Sequence, residues 1–298
     1  MKELYIVAQN AFTVSAPDSL RAWNVLKHRF SPFTAASATK PVLEVEITAD
    51  ELTECDAETV YEPTHAGIGV ITSRAARHDD GSTVIEFKHI DETRPCLRMK
   101  MSPDMNRADI IVSPEHRADD SYFMAHALMI AFMLATCGNG TLLIHSSAVM
   151  FEDKAYLFQG KSGTGKSTHA TLWVDNIAGA ELLNDDNPVI RFGADGVAMA
   201  YGSPWSGKTP CYRNVEAPIG AMVRIVRDRE NTLKRLAPLA AYASLTASVF
   251  YLPFISDKLK EVRHKTIERL VGAVPCCEMH CRPDAEAAMT CMNGLINQ

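Results

Sequence analysis

The sequence predicts an α/β protein in two parts, a β-rich region over about residues 1–120 and a strand-and-helix domain over 121–298. Three observations carry this. The first 120 or so residues break into short apolar or alternating runs separated by turn signals. An apolar stretch over 122–137 then reads as one buried helix. From Thr141 the pattern changes to strand, turn, strand, glycine loop and helix. The composition agrees, since 47% apolar and 22% charged residues over 298 positions suffice for a large core. Lys and Arg number 30 against 36 Asp and Glu, a net charge of −6, which argues against nucleic acid or an anionic membrane as the main partner. No signal-peptide pattern opens the chain and the eight cysteines are scattered, so reduced thiols and a cytoplasmic setting are expected.

In the first part, strands are expected at residues 4–7, 43–47, 67–71, 83–87 and 109–112, with turns at Ala16-Pro17-Asp18 and Asp79-Asp80-Gly81-Ser82. A helix over 19–30 takes Asp18 or Ser19 as its cap. No catalytic motif stands in this region, which reads as an accessory domain. The apolar helix follows over about 120–136 and ends at Cys137-Gly138-Asn139-Gly140. Its few polar positions place it in the centre of the second domain, with His126 as a core histidine, and it is short for a bilayer span. Further on, 236–254 and 257–271 read as two helices. Cys276-Cys277-Glu278-Met279-His280-Cys281 reads as a structural strand, its spacing wrong for a zinc knuckle.

Gly160-Lys161-Ser162-Gly163-Thr164-Gly165-Lys166-Ser167-Thr168 fits G-x-x-x-x-G-K-[ST] in full, after the apolar strand 155–159 and at the start of a helix. Glycines let successive N–H groups turn toward one anion, and a new helix adds its unpaired N–H groups and positive dipole end. Lys166 is expected to reach the β- and γ-phosphates of a nucleoside triphosphate, and the Ser167 hydroxyl to ligate Mg²⁺. Asn184-Asp185-Asp186 follows a short apolar pair at a strand end. Neighbouring strand residues point to opposite faces, so one acid can hold the metal while the other faces an acceptor hydroxyl. If residues 142–149 and 155–159 pair as a hairpin about Glu152-Asp153-Lys154, His145 lies opposite Gly160 at the mouth of the loop, where it can act or orient. Lys161, Lys208 and Arg213 are candidates for neutralising transferred charge, Arg213 best suited as a bidentate clamp. Trp205 can stack on an adenine or fill a core gap.

With these elements aligned, the chain resembles the catalytic domain of bacterial HPr kinase/phosphorylase and its relative phosphoenolpyruvate carboxykinase, over about residues 140–215. The shared features are a strand histidine (His145), the loop Gly160 to Ser167, a helix and the pair Asp185-Asp186, while Ser162 to Lys166 is similar to the carboxykinase form of the loop. The resemblance implies a P-loop kinase domain with a mixed sheet, Asp185 as base toward a serine hydroxyl, Asp186 as metal ligand beside Ser167, and His145 orienting the acceptor side. Tyr201-Gly202-Ser203-Pro204-Trp205-Ser206-Gly207-Lys208 and the stretch from Val274 to Asp284 resemble HPr-kinase-related proteins, some of which phosphorylate a peptide. The phosphorylase signature and the usual N-terminal sequence of the HPr enzymes are departures, so HPr itself is not implied as acceptor. Ring assembly among such relatives implies a homo-oligomer.

The expected activity is ATP- and Mg²⁺-dependent transfer of a γ-phosphoryl group to a hydroxyl, first of all serine in a protein or peptide. Two alternatives stand beside it: a small-molecule acceptor such as free serine or a carboxylic acid metabolite, and a nucleotide-binding regulator without transfer. The adjacent acids argue against the regulator, which needs only one metal ligand.

Overall fold

Leu43, Val45 and Ile47 are buried while Glu44 and Glu46 between them are exposed, the period-two pattern of a half-buried strand. A computed structural model describes residues 1–37, 40–61, 71–89, 92–114 and 120–296. They fall into two compact units, Met1–Thr136 with Leu252–Ser256, and Cys137–Tyr251 with Asp257–Gln298.

The first unit holds β1 (Lys2–Val7), β2 (Asn10–Ser15), α1 (Arg21–Phe30), β3 (Leu43–Ala49), β4 (Glu58–Tyr61), β5 (Ile71–Arg77), β6 (Thr83–His89), β7 (Leu97–Met101), β8 (Arg107–Val112) and α2 (Asp120–Thr136). Among the described residues, its eight strands run in the order β1-β2-β3-β8-β7-β6-β5-β4. β3 is parallel to β2 and β8, and the other pairs are antiparallel. The expected β-rich character is present, with β2, β4 and β7 added and β5 running on from Ile71. The strand expected over 67–71 lies, apart from Ile71, outside the described residues. α1 begins at Arg21, and neither Asp18 nor Ser19 caps it, since Leu20 holds the cap position without a side-chain bond.

α2 corrects the expected domain division. The sequence places this helix in a second domain starting at 121, yet the break falls after Thr136 and α2 packs within the first unit. Phe132 meets Phe12 at 5.6 Å between ring centroids, and Phe12, Tyr5, Trp23 and Phe30 complete the aromatic cluster. A helix apolar on every side is marked for burial, but its sequence does not say against which sheet. Ser121–Asn139 is long and apolar enough by composition to cross a membrane, yet most of it is buried inside the protein, as in a core helix. The helix expected over 236–254 stops at Ser248, and Leu252–Ser256 joins the first unit. There the Phe254 ring lies tilted against Tyr61, 6.1 Å between centroids, and Arg77 Nη2 donates to Phe254 O at 3.1 Å.

The second unit holds β9 (Leu142–Leu143), β10 (Ser146–Phe151), β11 (Lys154–Gln159), α3 (Lys166–Asn176), β12 (Glu181–Asp186), β13 (Val189–Phe192), β14 (Ala198–Tyr201), β15 (Glu216–Arg227), β16 (Thr232–Arg235), α4 (Pro238–Ser248), α5 (Asp257–Ala273), β17 (Cys276–Cys281) and α6 (Ala285–Ile296). Its mixed sheet runs β12-β10-β11-β15-β14-β13-β9, with β17 also on β15 and β16 on β17. β11, β15 and β17 are parallel, and Gln159, Arg224 and Glu278 share one row near their carboxyl ends. One core contains Ala170 and Trp173 of α3 with Ala287, Ala288 and Cys291 of α6. The other contains Ala241 and Leu245 of α4 with Ile267 and Leu270 of α5. The sheet is therefore covered on both faces, as parallel strands require.

The hairpin matches its expected register. Glu152 and Asp153 both have positive φ, 48° and 58°, suited to a two-residue turn between twisted strands. Ser146 pairs with Gln159, which continues to His145 opposite Gly160. β17 is the expected strand, with Cys277, Met279 and Cys281 buried.

Candidate functional site

The site begins where β11 ends. The chain turns through Gly160–Gly165 into α3, with Gly163 at φ +78° and Gly165, at the helix cap, at φ +108°. Both are left-handed conformations that a side chain would strain, and an added Cβ at either would meet nothing within 4 Å, so backbone conformation explains these glycines. The loop thus meets a helix N-terminus at the carboxyl edge of parallel strands, the usual place for ligands in open α/β sheets. Lys166 Nζ lies back across the loop, donating to Gly160 O at 3.2 Å and approaching Lys161 O at 3.5 Å. Burial pulls its ammonium below the ordinary lysine value, while Asp186 and then Asp185 oppose this.

β12 brings the acids to the same edge. β10 lies between β11 and β12, with Ser146 opposite Asp186 and Ser147 opposite Asp185. The neighbours therefore enter different surroundings. Asp185 is only 2% exposed, and its Oδ1 accepts from Ser147 Oγ. Ser147 Oγ in turn lies 3.3 Å from Ser167 Oγ at the start of α3, and Thr209 N donates to Asp185 Oδ2 at 3.3 Å. Asp186 keeps 34% of its side chain exposed and faces His145, 43% exposed, with Oδ1 3.5 Å from Nδ1. Asn187 Nδ2 donates to the other oxygen of Asp186 at 2.9 Å. His145 is held below the ordinary histidine value, first by burial, with Asp186 opposing, Lys166 adding and Asp185 opposing, so the ring is neutral near pH 7.

The segment after β14 folds over these acids. Asn184 Nδ2 donates to Ser203 O at 3.3 Å, and the Asn184 side-chain oxygen accepts from Asn187 N at 2.9 Å. Gly207 N donates to Asp185 O, and a Cβ at Gly207 would meet that same oxygen at 2.7 Å. Only glycine lets the loop come this close. Trp205 is buried, which favours the core-filling alternative over stacking on a base.

The structure thus brings together Gly160 to Ser167, His145, Asp185 and Asp186. Thr168 is exposed on the first turn of α3, and Lys161 and Lys208 are exposed as well. Arg213 is placed elsewhere. Its Nη1 donates to Leu182 O at 2.6 Å and its Nη2 pairs with Glu181 Oε2 at 2.7 Å, at the opening of β12. Four residues of strand, roughly 13 Å, separate Glu181 from Asp185, so Arg213 serves as a strand clamp here. The loop after Pro204 doubles back, which proximity in sequence did not reveal. Two residues that sequence reasoning left without a role belong to the site. Ser147 had a signal, standing two positions after His145 on one strand face. Arg227 reaches the glycine loop from β15, and nothing local announces it.

No family model and no curated protein matches the chain. Among solved structures, the HPr(Ser) kinase/phosphatase from Coxiella burnetii is similar at 12% identity with a TM-score of 0.31, the match covering 52% of this chain and 88% of that one. This is a distant structural likeness.

Proposed function

We propose that the second unit is an ATP- and Mg²⁺-dependent phosphotransferase of the P-loop kind, moving a γ-phosphoryl group to a hydroxyl, with serine of a protein or peptide as the acceptor class. The observation that carries this reading is the Ser147 bridge. One hydroxyl touches both Asp185 and Ser167, joining the acid pair to the start of the helix that the glycine loop opens. A regulator that only senses nucleotide has no need of a second, accessible acid beside it.

The residues fit the groups they would hold. Ser167, Ser147 and Asp185 form an all-oxygen donor set with one carboxylate, which suits Mg²⁺, an ion that keeps waters and phosphate oxygens as its other ligands. Mg²⁺, when bound, neutralises charge on the β- and γ-oxygens. The loop amides and Lys166 would cradle the phosphates.

The roles of the two acids are reversed relative to the resemblance. A base must meet its acceptor, and Asp185 is buried and bonded while Asp186 is open. Asp186 accepts the proton of the incoming hydroxyl, and neutral His145 beside it orients the carboxylate. Catalysis is then mostly positioning and charge stabilisation. An edge with two half-open side chains can receive a segment of another chain, which is why a peptide or protein is preferred as acceptor.

Purified protein incubated with γ-labelled ATP, Mg²⁺ and a cell lysate should label serine in a discrete protein or peptide, read by mass spectrometry. Lys166→Ala should abolish the label. ATP turnover by wild-type protein with phosphate released only to water, in every lysate and metabolite pool, would defeat the proposal.

A further inference from the structure

We propose that Arg227 is a positioning residue of the glycine loop, drawing two loop carbonyls outward so that the amides face the phosphates; this rests on the nucleotide-binding reading above. Arg227 is the last residue of β15, the strand beside β11 and parallel to it. Its Nη2 donates to Gly163 O and its Nε to Thr164 O at 3.4 Å. When N–H groups converge on an anion, the carbonyls of the same loop turn away from it and need donors of their own. A guanidinium supplies neighbouring N–H groups in a rigid fork, which matches two successive carbonyls as a lysine cannot.

Two cations reach carbonyls of the loop, one from α3 and one from β15. Lys166 donates to Gly160 O and approaches Lys161 O, which the Thr164 N–H and hydroxyl already hold, and Arg227 takes Gly163 O and Thr164 O. Lys166 must leave its carbonyls to reach phosphate, whereas Arg227, approaching from outside the curl, can stay. Its base is anchored for this. Arg227 forms the last rung with Cys281 of β17, and the next residue, Asp228, donates its N–H back to Cys281 O at 3.1 Å. The Asp228 carboxylate is also 2.8 Å from His280 Nδ1, and His280 Nε2 is 2.8 Å from Glu278 Oε1, both on β17. The backbone that launches the guanidinium is therefore fixed before any ligand arrives.

A residue that shapes the loop affects every ligand the loop holds, whereas a ligand of the terminal phosphate affects triphosphates alone. Titration calorimetry of ATP and ADP against the full chain separates the two. Arg227→Ala should weaken both nucleotides by the same factor, roughly tenfold, as expected for a charge-assisted bond at an exposed side chain. Amide hydrogen exchange at 163–165 should quicken in the nucleotide-free variant. Arg227→Lys should restore part of the loss at most, and it serves with Arg227→Gln should the alanine variant not fold. A loss confined to ATP would make Arg227 a phosphate ligand and overturn the positioning role, as would unchanged affinity and exchange. Wild-type protein that binds neither nucleotide would instead sink the nucleotide-binding reading, and hydrogen exchange would still decide whether Arg227 orders the loop.

Discussion

Two regions of the site sit one residue apart and differ in almost everything. The closed region is a set of oxygens: Ser147, Asp185 and Ser167 in hydrogen-bond contact, with the Asp185 side chain shut from water. The open region is the pair His145 and Asp186, each about two-fifths to one-third exposed and 3.5 Å apart. Chemically identical carboxylates are thus given different exposure and partners by the loop that folds over one of them. Under the proposed function, the loop that covers Asp185, more than the residue type, decides which acid would hold a cation and which would meet an acceptor.

The sharpest way to break this comparison is to neutralise each acid in turn. Asp186→Asn should slow phosphoryl transfer about 10²–10⁴-fold while ATP affinity stays within about twofold, the pattern of a lost general base. Asp185→Asn should raise the Mg²⁺ concentration needed for half-maximal activity by about tenfold and recover part of the rate at high Mg²⁺. If the Mg²⁺ requirement moves with Asp186 instead, the roles are exchanged.

A third test concerns what closure does to a histidine. His169, on α3 one turn past Lys166, is 2% exposed, and burial alone pushes its value from 6.5 down to about 4. Its Nε2 accepts from Trp173 Nε1 at 3.2 Å, which requires the neutral ring. The unfolded chain therefore takes up this proton first. The stability His169 contributes is complete above pH 6.5 and is lost progressively as pH falls toward about 4. The melting temperature should fall over that window, and the fall should be shallower in His169→Gln. The smallest effect belongs to Arg213→Ala. A half-exposed pair with Glu181 supports a change of about 1 kcal/mol or less in denaturant unfolding, with transfer kinetics unchanged.

Much of the second unit could be read from local pattern. The glycine loop, the hairpin register that sets His145 beside it, the strand bearing the two acids and the strand at Cys276–Cys281 all follow from spacing and turn chemistry. What could not be read depends on long-range contact. β2 is a short run, Asn10–Ser15, whose polar members blur its alternation. α2 is apolar on all sides, so its burial was evident and its host sheet was not. Arg213 follows a motif that looks close to the loop, yet the chain carries it to the far end of β12. Arg227 gains its meaning only because β15 runs alongside β11, a pairing of residues more than sixty positions apart.

The return of Leu252–Ser256 to the first unit has a consequence for biosynthesis. During translation, the N-terminal sheet emerges without the five residues that carry Phe254 to Tyr61 and Arg77. Those residues leave the ribosome only after the glycine loop, both acids and α4 have been made. The first unit therefore cannot be completed until the second has been made through α4, while α5, β17 and α6 of the second are still to come.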